Sequence, residues 1–262
     1  MKIKEAFKYG SRYQIEYILS KILNKDKIFL HLNPDFEFEE TKFMKIIEKL
    51  KDNYPIEYIF NEVYFYGEKF FIQEGVLIPR DDTEPLIDVA KKEIKDYVKY
   101  KNKNITIAEI GVGSGIISIT LSKYFKNIKF ITTDINPLAI EVTTKNMKLH
   151  NVNLDLYLTN LLDGIDEEID IIISNPPYVE EEWDNPTIKH EPKSALFAKD
   201  NGTYLLKEIV KLGIAKKVKL IICEMRYNQK SLMSKFFKEL GIMDYYFYKD
   251  LSNNDRGFVI KF

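Results

Sequence analysis

Two short stretches carry residue types that could do chemistry. The tetrapeptide Asn175-Pro176-Pro177-Tyr178 directly follows the apolar run Ile169-Asp170-Ile171-Ile172-Ile173-Ser174. A run so rich in β-branched residues reads as a strand covered on both faces, and the two prolines end it because proline has no N–H for a sheet ladder. The turn then offers one side-chain amide, carbonyl oxygens with no N–H beside them, and one aromatic ring. That set suits a planar NH2 group. Asn-Pro and Pro-Pro are also ordinary turn punctuation, so the tetrapeptide alone leaves a plain strand exit as the competing reading.

The second stretch is Glu109-Ile110-Gly111-Val112-Gly113-Ser114-Gly115, which ends an earlier apolar run, with Asp134 closing the run after it. Glycines at a strand-to-helix turn let the backbone pass close to a ligand, and an acidic residue at the next strand end can accept hydrogen bonds from both hydroxyls of a ribose. Gly115 and Asp134 lie 19 positions apart (134 − 115), the span of one such unit. The nicotinamide and flavin fingerprint needs G-x-G-x-x-G, and Ile116 stands where its third glycine would be. G-x-G-x-G is instead the loop of S-adenosylmethionine methyltransferases. A glycine loop by itself can be no more than a tight turn, but together with Asp134 and the Asn-Pro-Pro-Tyr turn it points to that cofactor. The cofactor candidates are therefore Glu109, Gly111, Val112, Gly113, Ser114, Gly115, Asp134 and Asn175.

These residues need strand ends on one side of a sheet. From Asn104 onward strands and helices alternate, with strands expected at Ile105 to Ile110, Ile128 to Thr133, Asp155 to Leu158, Ile169 to Ser174 and Val218 to Glu224. Helices are expected at Gly115 to Phe125, Pro137 to His150 and Tyr204 to Leu212, which makes a doubly wound, Rossmann-like α/β domain. Asp244 to Tyr248 and Gly257 to Phe262 read as an antiparallel hairpin at one sheet edge. Ahead of this domain, apolar residues recur at helical spacing (Ile15, Ile18, Leu19, Ile22, Leu23; Phe43, Ile46, Ile47, Leu50), a small bundle of three or four short helices. Glu62 to Ile72 reads as a linking β-hairpin about Gly67. Beyond it, Asp82 or Thr83 can cap a helix with Pro85 in its first turn, running to about Tyr100. The expected boundaries are 1–60 for the helical domain, 61–78 for the hairpin linker and 79–262 for the α/β domain.

Composition bounds the rest. The chain has 262 residues, 45% of them hydrophobic, enough for a real core. Lys+Arg 39 against Asp+Glu 40 leaves no global basic field to hold a nucleic acid duplex. The single cysteine, Cys223, sits in the apolar stretch Val218 to Cys223 and reads as a small buried hydrophobe, consistent with a reducing cytoplasm. His31, His150 and His190 stand far apart, so no metal site is expected. No apolar run approaches the roughly eighteen residues of a membrane span, and charge interrupts the N-terminus, so a cytoplasmic protein is expected. Val179 to Thr203, with Glu180-Glu181-Glu182-Trp183 and Glu191-Pro192, lacks periodicity and reads equally as a solvated loop or a lid.

Over nearly its whole length the chain resembles the HemK-type protein-(glutamine-N5) methyltransferases, which modify peptide chain release factors. The stretches that carry the resemblance are Pro55 to Ile59, Val76-Leu77-Ile78-Pro79-Arg80 with Thr83-Glu84, Glu109 to Gly115, and Asp134-Ile135. Ile173 to Val179, Glu191-Pro192 with Ala195-Leu196, and Asp250-Leu251 with Asp255-Arg256 complete them. Departures are Asn61, Asp81-Asp82, Glu224-Met225-Arg226 in place of a Glu-Ile-Gly-like turn, and no Gly-Gly near Lys216-Lys217. The resemblance implies a class I methyltransferase sheet, S-adenosyl-L-methionine as donor, a release factor as protein substrate, and a helical N-terminal domain that helps grip it. It implies that Asn175, Pro176 and Tyr178 are catalytic, that Pro177 joins them in binding the substrate, and that Asn160 and Leu161 border the adenine. No stable nucleic-acid binding, no membrane association and a monomer are expected. On this reading the Asn175 side-chain oxygen and the Pro176 carbonyl each accept one N–H of the acceptor amide, and the Tyr178 ring packs on its plane. The runner-up is an adenine-N6 or other amino-group methyltransferase acting on nucleic acid, since adenine presents a similar NH2. A cofactor-binding module without activity is the third reading.

Overall fold

The computed structural model describes residues 1–99, 104–180 and 188–262, which divide into two compact units. The first comprises Met1–Asn61 together with the short described stretch that ends at His190. It holds helices α1 (Ile3–Ala6), α2 (Arg12–Leu23), α3 (Lys27–Leu32), α4 (Glu40–Lys51) and α5 (Ile56–Phe60). Local chemistry sets their ends. Ser11 caps α2 by accepting from Gln14 N, Asp26 caps α3 by accepting from Phe29 N, and Asn24 closes α2 in the left-handed conformation at φ 52°. The periodic residues Ile15, Ile18, Leu19, Phe43, Ile46 and Ile47 turn inward and form the core of this unit. Five helices stand where three or four were expected, because α1 and α5, of 4 and 5 residues, are too short to show a period.

The second unit opens with the expected hairpin, β1 (Glu62–Phe65) paired antiparallel with β2 (Glu68–Phe71). Its turn is Tyr66 (φ 51°) and Gly67 (φ 75°), two left-handed residues in a row, the geometry whose twist matches a two-residue hairpin. A 3-10 turn at Asp81–Thr83 then leads into α6 (Glu84–Lys99), with Pro85 in the first turn as expected; Tyr100 lies outside the described residues. Next come β3 (Thr106–Ile110), α7 (Ile116–Tyr124), β4 (Lys129–Asp134), α8 (Pro137–His150), β5 (Asp155–Leu158) and β6 (Ile171–Ser174). After β7 (Val179–Glu180), α9 (Lys193–Leu196) and β8 (Phe197–Ala198) follow α10 (Tyr204–Lys216), β9 (Leu220–Glu224), α11 (Lys230–Glu239), β10 (Tyr245–Lys249) and β11 (Asp255–Lys261).

Seven strands form one sheet in the order β10-β11-β9-β6-β3-β4-β5. The five from β5 to β9 run parallel, and β11 and β10 add antiparallel at the β9 side, the hairpin expected from the tail. Every residue of β6 and β9 is buried, as their unbroken apolar runs require. From β3 the chain winds outward through β4 to β5 and then returns to β6 on the other side of β3. The sheet reverses its winding between β3 and β6, and a crevice opens beyond the carboxyl ends of strands at such a point. Both chemistry-bearing stretches follow these two strands. Sequence periodicity did not reveal α11, which buries only Met233 and Phe237, one i,i+4 pair amid charge. Glu181, Glu182 and Trp183 lie outside the described residues; the described remainder of that segment forms β7, α9 and β8, with β7 and β8 paired in parallel.

Candidate active site

The last residues of β3 and β6, Ile110 and Ser174, are register partners, and the Ser174 hydroxyl donates to the Ile110 carbonyl at 2.7 Å. This fixes the glycine loop and the Asn-Pro-Pro-Tyr turn side by side. Within the loop, Gly111 N and Val112 N both donate to Thr133 O at 2.9 Å. Gly113 N donates to Asp134 Oδ2 at 2.9 Å, while Asn136 N donates to Asp134 Oδ1 at 2.8 Å. Asp134 thus ties the loop to the start of α8. From α8 itself the Thr143 hydroxyl donates to Gly113 O at 3.0 Å and Asn146 Nδ2 to Ser114 O at 2.8 Å.

The three glycines do different things. Gly111 (φ 76°) and Gly113 (φ 56°) are left-handed, and a Cβ on either would project into open space with no atom within 4 Å. They leave room above the loop. Gly115 (φ 82°) instead packs tightly: a Cβ there would come within 2.9 Å of Ile119 Cδ1 and 3.0 Å of Thr143 Cγ2.

Two cavities adjoin the loop. The first, of about 140 Å³, is bordered by Asp134, Asn160, Leu161 and Pro177, with Val76 and Ile135 beside them. The second, of about 120 Å³, is bordered by Glu109, Val112, Ser114 and Tyr178, with Arg80 and Thr83 beside them. Leu77, Gly111, Gly113, Asn175, Pro176 and Ala195 border both. The structure therefore brings the sequence-derived candidates to one place, apart from Gly115, which borders neither cavity. Asn175 and Pro176 stand where the two meet.

The electrostatics are acidic and only partly satisfied. Glu109 is 1% exposed; its Oε2 accepts from Ser118 N at 2.9 Å, while Oε1 is buried with no hydrogen-bond partner among the described residues. Burial pushes its carboxyl up to about 8, with the nearby Asp134 charge adding to the effect. Burial also raises Asp134, against the backbone N–H groups of Gly113, Asn136 and Ile135 that favour its charged form. A pair of carboxyls without a cation is complementary to a positively charged ligand, and the two oxygens of Asp134 suit a vicinal diol.

Asn175 Nδ2 donates to Thr83 Oγ1 at 3.0 Å, and no described residue engages its Oδ1. The Tyr178 hydroxyl donates to Glu224 Oε1 at 2.7 Å. Leu77 and Ala195, which border both cavities, were quoted in the sequence without a role, and Thr83 only as a candidate helix cap. Glu191 brings the Val76 to Glu84 stretch to the site, because its carboxylate accepts from Ile78 N at 3.2 Å and pairs with Arg80. Nothing in the spacing of residues 113 positions apart (191 − 78) could have foretold that bond.

Residues 87–212 match the family model described as the methyltransferase small domain. The release factor glutamine methyltransferase of Clostridium botulinum is 36% identical over 266 residues, covering 95% of this chain and 91% of its own length. That of Mycoplasma mycoides subsp. mycoides is 32% identical, covering 99% and 96%. Among solved structures, the N-terminal domain of human METTL16 in complex with SAH has a TM-score of 0.51 at 16% identity, covering 70% of this chain and 71% of that one. That likeness concerns the fold. S-adenosylmethionine carries a ribose diol, a sulfonium and an ammonium group, and the Asp134 carboxylate, the unpartnered Glu109 oxygen and the open space above Gly111 and Gly113 fit those features. With the sheet, the site and the two close relatives in agreement, this chain belongs to the release factor glutamine methyltransferase family.

Proposed function

We propose that this protein transfers a methyl group from S-adenosylmethionine to the side-chain amide nitrogen of the glutamine in the Gly-Gly-Gln loop of a peptide chain release factor, as a monomer in the cytoplasm. The observation that carries the reading is the placement of Asn175 and Pro176 between the two cavities, with Asn175 Oδ1 unengaged. Asp134 borders one cavity and Glu109 the other, while Gly111 and Gly113 border both, so cofactor and acceptor side chain come together across Asn175 and Pro176. The cofactor, when bound, supplies an electrophilic methyl carbon for an in-line displacement.

The residues have then to place and polarise the acceptor. A glutamine amide nitrogen is a poor nucleophile because its lone pair is spread into the carbonyl. Asn175 Oδ1 and the Pro176 carbonyl accept one N–H each, which turns the nitrogen lone pair toward the methyl group and stabilises the positive charge that develops on nitrogen. Holding the reacting atoms about 3 Å apart does the remainder. The proton can leave after transfer, so no strong base is needed. Asp134 holds the ribose, Glu109 faces the cationic end of the cofactor, and Asn160 and Leu161 border the adenine. The Tyr178 ring forms the wall against which the acceptor amide lies. The helical unit, Met1 to Asn61, contributes to gripping the release factor.

Parallel incubation of the protein and labelled cofactor with purified release factor, with the same factor carrying Gln→Ala in its Gly-Gly-Gln loop, and with DNA tests this. Mass spectrometry should place the methyl on that glutamine and on nothing else. Label in DNA alone would replace the reading with amino-group methylation of nucleic acid.

A further inference from the structure

Asn146, in the third turn of α8, is 0% exposed, a costly place for an amide unless its groups are paired. Its oxygen and both of its N–H groups are engaged. Oδ1 accepts from Phe71 N at 2.7 Å, while Nδ2 donates to Phe71 O at 2.9 Å and to Ser114 O at 2.8 Å. Phe71 ends β2, 75 positions back in the chain, and Ser114 belongs to the glycine loop. The direction of the amide is forced, because a backbone N–H can only donate and a carbonyl can only accept. Strand β2 has β1 on one side only, and Asn146 bonds both polar groups of Phe71 as the peptide of a further strand would. The second Nδ2 proton is left for Ser114 O.

On the same face of α8, the Thr143 hydroxyl holds Gly113 O at 3.0 Å. The peptides on both sides of Ser114 are therefore oriented from this helix. In a trans peptide the N–H lies opposite the C=O, so Ser114 N–H points away from α8. Ser114 borders the second cavity, and the chain that leaves Phe71 runs on to Val76 and Leu77, which border the first. One amide thus fixes both the loop beneath the ligand and the start of the segment that walls it. Neither an apolar residue nor a carboxylate could replace it: aspartate has the same shape but would set an oxygen against Phe71 O and Ser114 O.

We propose that Asn146 is the positioning residue of the cofactor loop and its joint with the β1-β2 hairpin, so that cofactor binding tightens the end of β2 and the end of β2 sets cofactor affinity. The two effects are equal in size, because coupling between sites is reciprocal. Asn146 itself borders neither cavity. The proposal rests on the use of the glycine loop as the seat of S-adenosylmethionine, and not on the identity of the methyl acceptor.

The test follows backbone amide exchange with and without saturating S-adenosylhomocysteine in the native chain, Asn146→Ala, Asn146→Asp and Thr143→Val, with the ligand Kd from calorimetry. In the native chain the ligand should slow exchange at Phe71 N about fivefold or more beyond its effect on the amides of β10, at the far edge of the sheet. Asn146→Ala and Asn146→Asp should each weaken the Kd by about 3–10-fold, the net worth of a lost hydrogen bond, and Phe71 should then respond to ligand no more than β10 does. Thr143→Val loosens the loop without touching the hairpin. It should weaken the Kd by a similar factor yet keep the ligand-dependent slowing at Phe71. A merely structural asparagine would leave Phe71 in step with β10 in all four chains. That result in the native chain, which needs no variant to fold, would overturn the proposal, as would slowing at Phe71 that persists in Asn146→Ala. A native chain that binds no S-adenosylhomocysteine would remove the cofactor seat and this proposal with it. Binding without methylation of a release factor would remove the proposed function alone, and the exchange result would still decide the role of Asn146.

Discussion

Glu109→Gln gives the most direct quantitative test of the site. Burial moves the native carboxyl from its ordinary 4.5 up to about 8, so between these values the folded chain keeps a proton that the unfolded chain has lost. Stability then falls as pH rises through that window, at about 1.36 kcal/mol per unit, and levels off above about 8. The full difference, (8 − 4.5) × 1.36, is about 5 kcal/mol, of which about 2 kcal/mol falls between pH 6 and pH 8, the slope easing as the group itself titrates near 8. At roughly 2–4 °C per kcal/mol for a chain of this size, that is about 4–8 °C in Tm. Glutamine has the same shape, keeps an oxygen for Ser118 N and does not titrate. Urea denaturation at pH 6, 7 and 8 should therefore show the variant gaining on the native protein by about 1 kcal/mol per unit, more from 6 to 7 than from 7 to 8. Because Glu224, which burial raises to about 7, titrates in both proteins, the difference between them isolates Glu109. Saturating S-adenosylmethionine should shrink the difference, since a nearby cation favours the carboxylate. A difference that does not vary with pH would refute the burial argument.

Asn175→Ala should lower kcat about 10²–10³-fold, the usual effect of removing one polar contact to the transition state, while calorimetry still shows cofactor binding; normal turnover would sink its assignment. Asp134→Ala should weaken cofactor binding by about 2–3 kcal/mol through lost charge-assisted hydrogen bonds, and an unchanged Kd would put the ribose elsewhere. Gly115→Ala should cost about 2–4 kcal/mol in urea denaturation, because φ 82° strains an L-residue and the new Cβ meets Ile119 and Thr143. A midpoint equal to that of the native protein would contradict the packing.

Several parts of this protein were legible in the residues alone, each for a local reason. The β-branched run before Asn175 needed burial on both faces, and β6 has it. G-x-G-x-G beside Asp134 could be read because both members of the pair belong to one β-α-β unit, whose geometry the chain itself imposes. The Asn-Pro-Pro-Tyr turn was legible as a strand exit, because proline has no N–H for a ladder, and β6 ends at Ser174 just before it. Helix α11 was not legible, since only two of its residues reach the core.

What the tertiary structure alone decided is which distant residues complete the site and which way its groups face. Sheet order placed β3 against β6 across 64 residues (174 − 110), and Glu191 drew the Val76 to Arg80 stretch to the cavity wall. The glycine loop divides its labour, Gly111 and Gly113 leaving space and Gly115 closing it, though all three look alike in sequence. Tyr178 reads in sequence as an aromatic ring for the substrate, yet its hydroxyl is anchored on Glu224, and Thr83 meets the Asn175 amide from 92 residues away. The physical reason is common to these cases: hydrogen bonds between far-apart side chains have no period or spacing in the sequence, and only burial in one core makes them obligatory.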